Sequence, residues 1–512
     1  MFRYSLTTVI FFVYLVNKSI GSTILAIVPT PSERHQKILR PIWQELSLKG
    51  HQITIITPHA SSNTEYKNLT EIDVKEFLNG YSEENIKNNV NNDMKSTMEL
   101  YFSKESIKQL LENNKKFDLV IVESFLPEFL AFADYYKCPS VLISVDKTSD
   151  LIHSYMGNVP YPLITSNYLT SLANSRFRFI QRAVTLLIHY FHFASTFMWT
   201  SPIRHQILKN YFGQNISSPR ALYNNVDLLL TTFNPIFHDI VNIGPATVPF
   251  TSTIDLKPPN PLAKDLQEYL DSATEGCIYF SLGTNSKSIH LEQKKIEIIK
   301  EALGELPYKI LWKFESEEVT NLPDNIKLIS WVPQQDILRH PNVKLFITQG
   351  GIQSLEEAIV NHVPMAMLPV FGDQEANAKR MELKGIAKII PHQPLPDKDE
   401  FKRIIFELIN DSKYKENIIK IANLLLDQPM GGVEKAVWWI EYVIRHKGAK
   451  HLRNPALDVP FYQYYSLDVI AALLLITYIL FKLVLIVATI MLQIGRTLLS
   501  VIKIKNQKKK TN

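Results

Sequence analysis

The stretch FITQGGIQSLEEA, residues 346–358, joins a strand-like run to a helical pattern through two adjacent glycines. VKLFIT (343–348) reads as a buried strand and SLEEAIVN (354–361) as a helix. Gly350 and Gly351 let the backbone turn sharply and approach a ligand closely. The first amides of a helix lack intrahelical partners and sit at the positive end of its dipole. Phosphate suits that position. A tight strand-to-helix turn without a ligand has the same signature, and neither a G-x-G-x-x-G run nor a Walker A loop accompanies it.

Outward from this turn the same rhythm repeats. CIYFSLGT (277–284), YKILWKF (308–314), IKLISWV (326–332) and VPMAMLPV (363–370) read as further strands. An earlier series comprises STILAIVP (22–29), HQITIITP (51–58), FDLVIVESF (117–125), CPSVLISV (138–145) and VDLLLTTF (226–233). Between the first two of these, residues 33–50 place Ile38, Ile42 and Leu46 at helical spacing and end at Gly50. Strand–helix–strand is the unit of a parallel doubly wound sheet. The proline-rich passage with Pro245, Pro249, Pro258, Pro259 and Pro261 separates the two series and reads as a linker. Two Rossmann-like α/β domains are predicted, facing a cleft, because such sheets bind ligands beyond the carboxyl ends of their strands. Residues 61–115 are polar and asparagine-rich and read as variable surface structure. Residues 150–215 carry many aromatics without a clear period, which suits either the lining of an apolar cleft or ordinary helical core.

The composition is that of a globular protein, 46% hydrophobic and 21% charged over 512 residues. Two cysteines, Cys138 and Cys277, exclude a disulfide framework and read as buried free thiols. The amino terminus has Arg3, an apolar run from Leu6 to Val16 and small residues at Gly21 and Ser22, the layout of a secretory signal. Residues 469–492 are apolar enough to span a bilayer, although Lys482 sits near their middle. Arg496, Lys503, Lys505, Lys508, Lys509 and Lys510 follow without an acid, which keeps that end cytosolic and the body lumenal. The formal net charge of +5 is therefore concentrated in the tail, and nothing suggests a nucleic-acid partner. Asn68, Asn215 and Asn410 stand in glycosylation sequons.

The wider window WVPQQDIL (331–338) and FITQGGIQSLEEAIVNHVPMAMLPVFGDQ (346–374) combines a stacking ring, an amide, an anion site and acidic groups. It resembles the signature of the UDP-glycosyltransferase family, membrane-bound enzymes that conjugate small lipophilic molecules. The likeness extends to FDLVIVE, IYFSLGT, WWIEYVIRHKGAKHLR (438–453) and YYSLDVIA, and the insect branch is the nearest in appearance. The resemblance implies a GT-B fold: an acceptor-binding domain at 22–245, a linker at 246–262 and a UDP-sugar-binding domain at 263–450. A signal peptide at 1–21, a juxtamembrane segment at 451–468, a span at 469–492 and a basic tail at 493–512 complete the chain. Helices over about 425–447 would cross back onto the first half.

The resemblance also assigns roles. Trp331 would stack on uracil, with Val332 beside it, and Gln334 would bond the base or ribose. Glu357 would accept from the ribose hydroxyls. Ser281, Gln349, Gly351 and Ser354 would surround the diphosphate, Gly283, Gly350 and Gln353 would belong to the same UDP-sugar site, and Asp373 and Gln374 would hold the sugar. Many family members carry histidine where Gln349 stands; a glutamine N–H serves phosphate too, but without charge. His35 would be the general base, with Glu123 as its carboxylate partner and Asp118 as the second candidate. The implied reaction is inverting transfer, from UDP-glucose rather than UDP-glucuronate, to a small lipophilic hydroxyl compound, in the endoplasmic reticulum membrane. The KK pair before the last two residues resembles a retrieval signal there. No metal or other cofactor is expected, and a homo-oligomer is compatible with the resemblance. A UDP-sugar-binding membrane protein without catalysis is the alternative. The D-x-D look-alike DKD (397–399) reads as a helix cap.

Overall fold

The computed structural model describes residues 21–61, 65–75, 98–113, 115–145, 148–158, 179–195, 201–236, 242–250, 259–283, 288–315, 321–370 and 373–508. The signal-like segment, apart from Gly21, and the terminal KKTN, residues 509–512, lie outside them. Residues 21–453 form one compact unit and residues 454–508 another.

The larger unit contains two parallel sheets. The first comprises β1 (Thr23–Ile27), β2 (Gln52–Thr57), β3 (Leu69–Asp73), β4 (Leu119–Glu123), β5 (Ser140–Ser144), β6 (Leu228–Thr231) and β7 (Thr247–Pro249). Their spatial order is β3-β2-β1-β4-β5-β6-β7. The second comprises β8 (Cys277–Ser281), β9 (Lys309–Lys313), β10 (Ile326–Ile329), β11 (Val343–Thr348), β12 (Met365–Met367) and β13 (Ala387–Ile389), in the order β10-β9-β8-β11-β12-β13. In each sheet the order reverses beside the first strand, between β1 and β4 and between β8 and β11. These are the topological switch points at which doubly wound sheets bind ligands.

Alternation along the strands explains why both faces are covered. In β1, Leu25 and Ile27 join one core cluster while Ile24 and Ala26 join the other. In β8, Cys277 and Tyr279 face one layer while Ile278 and Phe280 face the opposite one. Strands buried on both sides read as unbroken apolar runs, and that made them visible in the sequence.

The helix Gly432–Arg445 packs back onto the first half. Its Ala436, Val437, Ile440 and Val443 share a core with Leu39, Ile42, Trp43 and Leu46 of the helix Glu33–Leu48. A fully buried aliphatic side chain contributes about 1.5–3 kcal/mol, so this contact ties the end of the larger unit to the first sheet. Asp227 accepts from the amides of Ser140 at 3.0 Å and Ala449 at 2.8 Å, fixing the chain just past that helix.

Several expectations need correction. The first sheet continues through β7 into the stretch read as linker. This strand is short, lies at the sheet edge and ends in Pro249, where a missing N–H is tolerated. β3 lies in the polar stretch read as variable surface; its residues are half-buried to exposed, so no apolar run announced it. β10 ends at Ile329, which leaves Trp331 in the following loop. Cys277 is buried but Cys138 is only partly so.

In the smaller unit one helix runs over Leu467–Lys508, and Leu467–Val501 is apolar and long enough to cross a bilayer. It does not stop at residue 492, because residues 493–501 contain no proline and only one glycine, so nothing there breaks the helix. Lys482 Nζ lies 5.5 Å from the centre of the Tyr478 ring.

Candidate active site

At the first switch point β4 ends in Glu123 and β1 leads into the helix Glu33–Leu48, whose third residue is His35. The His35 ring Nδ1 contacts Glu123 Oε1 directly. Glu123 is buried, at 1% exposure, and its other oxygen accepts from the Thr30 amide at 3.3 Å. A buried carboxylate needs such partners to remain ionised. Asp118, the other candidate partner, lies at the opposite end of β4, where it accepts from the Thr23 amide at 2.8 Å. The strand places the two carboxylates at its two ends, so only Glu123 reaches the switch point. Thr30 had no sequence signal, since its contribution is a backbone amide.

At the second switch point β8 and β11 each end in a glycine-bearing turn. Gly350 has φ +97°, and a Cβ there would lie 2.7 Å from Met367 Cε. Gly351 caps the helix Ile352–Val360 and contributes no side-chain cap. The leading amides of that helix thus meet no capping oxygen from its own N-cap residue. Gln353 and Ser354 occupy its first turn, half-buried. Ser281, at the end of β8, is buried and accepts from the Gly283 amide at 3.2 Å. Gly283, with φ +85°, lies against the Gln349 side chain: a Cβ would come 2.5 Å from Gln349 Nε2. Gln349 is 8% exposed, and its Oε1 is buried without a hydrogen-bond partner among the described residues. The sequence suggested an N–H for phosphate; the geometry adds an unmet acceptor on the same amide.

The remaining candidates form two small networks. Gln334 Nε2 donates to Glu357 Oε2 at 2.7 Å and to Ser354 Oγ at 3.1 Å, and its Oε1 accepts from Tyr279 at 3.2 Å. Burial pushes the Tyr279 phenol well up, so it stays protonated and donates. Gln334 is thereby committed within the protein, and Gln334, Ser354 and Glu357 are all half-buried. Asp373 Oδ2 accepts from Asn377 Nδ2 at 2.9 Å, and the same nitrogen donates to the Gly350 carbonyl at 3.1 Å. Gln374 is buried and accepts from the Val370 amide at 2.9 Å. Trp331 presents an open ring, at 68% exposure, whereas Val332 is buried in the core and offers a ligand only its backbone.

Sequence reasoning missed Tyr279, Asn377 and Lys313. Lys313 Nζ donates to the Gly283 carbonyl at 2.9 Å and pairs with Glu315 at 2.7 Å, steadying the turn after β8. Asn377 was detectable only as a polar residue one helical turn beyond Asp373. No group of three or more His, Cys, Asp or Glu side chains able to hold a metal occurs among the described residues. Asp397 of the DKD stretch caps the helix Lys398–Asn410, accepting from the Glu400 amide at 2.9 Å.

Residues 102–510 match the family described as UDP-glucoronosyl and UDP-glucosyl transferase. The chain belongs to this family. Among relatives of the UDP-glycosyltransferase, the UDP-glycosyltransferase UGT5 of Dactylopius coccus is 30% identical, covering 91% of this chain and 92% of that one. The ecdysteroid UDP-glucosyltransferase of Spodoptera littoralis nuclear polyhedrosis virus is 28% identical, covering 90% and 96%. The solved glycotransferase of kitacinnamycin superposes with a TM-score of 0.58 at 18% identity, covering 83% of this chain and 99% of that one. The fold of this UDP-glycosyltransferase is GT-B. The protein is an enzyme that moves a sugar from a UDP-sugar to an acceptor. Among the described residues one helix is long and apolar enough to cross a membrane, and it fits a single-pass membrane anchor.

Proposed function

We propose that the enzyme transfers glucose from UDP-glucose to a hydroxyl of a small lipophilic acceptor, with inversion, and that His35 is the general base. The carrying observation is the buried contact between Glu123 and His35 Nδ1 at the first switch point. With Nδ1 committed to the carboxylate, Nε2 is the nitrogen that takes the acceptor's hydroxyl proton. The acceptor oxygen then attacks the anomeric carbon while the bond to the UDP oxygen breaks on the opposite face. The electron pair leaves with UDP, and a β-glycoside results. Glu123 stabilises the imidazolium formed in that step, as the carboxylate does in hydrolase triads.

Donor binding is assigned to the second switch point. The diphosphate faces the start of the helix Ile352–Val360, where outward amides and the helix dipole favour an anion. Uracil stacks on the exposed Trp331, and Glu357 accepts from the ribose. Gln349 Oε1, an unmet acceptor, takes a sugar hydroxyl, and Asp373 and Gln374 serve the same sugar. Phosphate charge is met by backbone, so the reaction is proposed to need no metal. Glucose as donor is supported by the similarity to a viral ecdysteroid UDP-glucosyltransferase.

The body is proposed to be lumenal in the endoplasmic reticulum. Asn215 and Asn410 are exposed in their sequons, whereas Asn68 is held by Gln52 at 2.8 Å. Glycan addition at Asn215 or Asn410, read as an endoglycosidase-sensitive mass shift, tests that orientation. The function itself is tested on membranes bearing the chain, offered UDP-glucose or UDP-glucuronate with simple phenols, with and without a chelator. Chelator-insensitive glucose transfer, lost in His35→Ala, is expected. Undiminished transfer in that variant removes His35 from the mechanism.

A further inference from the structure

His35 reaches the first switch point from a loop with few means of holding itself. Between β1 and the helix Glu33–Leu48 the chain runs Val28-Pro29-Thr30-Pro31-Ser32. Pro29 and Pro31 have no N–H, so a run of backbone amides cannot pin this stretch. The one amide between the two prolines, that of Thr30, donates to Glu123. Ser32, the N-cap residue, makes no side-chain capping bond. His35 stands one turn from that uncapped end, so the imidazole follows wherever the loop settles.

The carbonyls are the remaining handles, and two side chains from other elements take them. Tyr101, buried in the helix over residues 98–103, donates its phenol to the Pro29 carbonyl at 3.0 Å. His59 Nε2 lies 2.7 Å from the Pro31 carbonyl. A carbonyl only accepts, so this ring nitrogen carries a proton and donates it. His59 is itself fixed. It stands just beyond β2, where its amide donates to Thr57 Oγ1 at 3.1 Å. Its carbonyl accepts from Arg40 at 3.1 Å, and the same guanidinium pairs with Glu71 of β3 at 2.8 Å. Arg40 belongs to the helix that carries His35, so the contact is reciprocal: His59 holds the loop that starts the helix, and the helix holds His59. The sheet order sets β2 and β4 on either side of β1. The loop is therefore gripped from one flank by His59 and from the other by Glu123.

We propose that His59 and Tyr101 are positioning residues for the general base, holding the Pro29–Pro31 loop so that Glu123 meets Thr30 and His35 together. The proposal rests on His35 being that base. Glu123 touches the ring with one oxygen and the loop with the other, so a shift of the loop disturbs both bonds. Misplacing a reacting group by about 1 Å can cost about 10²-fold in rate, and losing one of several anchors should cost about tenfold.

The test uses the full chain in nanodiscs, with transfer from UDP-glucose to simple phenols and UDP affinity measured on the same preparation. His59→Phe keeps a ring and removes the donor. Its kcat is expected to fall about tenfold while UDP affinity stays within about twofold. His59→Gln, which returns an N–H, should recover most of that loss. Tyr101→Phe removes a single hydroxyl and should lower kcat about threefold or more, again without weakening UDP. Added to His35→Ala, neither substitution should reduce the residual rate further, because the group they position is gone. An undiminished kcat in both His59→Phe and Tyr101→Phe, beside a His35→Ala chain that has lost transfer, overturns the inference. So does a parallel fall in UDP affinity, or a full further loss in the His35→Ala background; either would assign the two residues to the fold at large. Transfer that survives in His35→Ala would overturn the base assignment itself, and the inference with it.

Discussion

The two sheets have the same strand order around their switch points and equip them with opposite chemistry. The first holds a buried carboxylate against an imidazole, Glu123 and His35, with one backbone amide in support. The second holds glycine turns, a neutral amide and the start of a helix. The first arrangement is suited to moving a proton, because a titrating ring is oriented by a charge that water cannot screen. The second is suited to holding an anion, because backbone amides present partial positive charge without a side chain that must be desolvated. One architecture thus carries two kinds of chemistry: an imidazole–carboxylate pair stands on one sheet, and a glycine turn leading into a helix start stands on the other.

That division can be broken by substitution. His35→Ala is expected to lower kcat by about 10³-fold while the affinity for UDP, measured by calorimetry, stays within about twofold. A parallel loss of UDP affinity would show that the two sites are not separable. Glu123→Gln keeps the shape but removes the charge that stabilises the imidazolium, and a loss of about 10²-fold in kcat is expected with UDP affinity again unchanged.

On the donor side the expected effects are reversed. Gly350→Ala forces a side chain into the left-handed region and against Met367, costing about 1–3 kcal/mol of stability and weakening UDP binding. Gly351→Ala, at φ −66°, should cost less in a thermal melt. Gln349→Leu removes a buried acceptor that has no partner among the described residues. Stability should hold or rise by about 1 kcal/mol, while the KM for UDP-sugar rises about tenfold. A fall in stability instead would mean that Gln349 serves the fold and not the ligand. The smallest effect concerns Cys277, beneath this site. Burial raises its thiol to about 12, so at pH 8 its thiolate fraction is about a thousandfold below that of a thiol at 9. Alkylation should be correspondingly slow until denaturant is added.

Much of this arrangement was legible before any coordinates. VKLFIT, CIYFSL and FDLVIVE are unbroken apolar runs because both faces of a parallel strand are buried, and composition then carries the signal. Gly350 was legible because few other residues tolerate its backbone. β3 and β7 were not, since a half-exposed edge strand need not be apolar. Nor were Tyr279, Asn377, Thr30 and Lys313, whose contributions pass through hydrogen bonds to residues distant in sequence.

The sequence by itself determined two doubly wound halves, the strand ends where chemistry could occur, the residue types placed there and an apolar span long enough for a bilayer. These follow from local periodicity and from backbone conformations that glycine and proline alone favour. The tertiary structure alone decided that Glu123, not Asp118, meets His35, that Gln334 is held by Tyr279, Ser354 and Glu357, and that Gln349 presents an unmet acceptor. Each of these depends on which side chains from separate strands and helices arrive at one place, and on what is left for water or a ligand once they have.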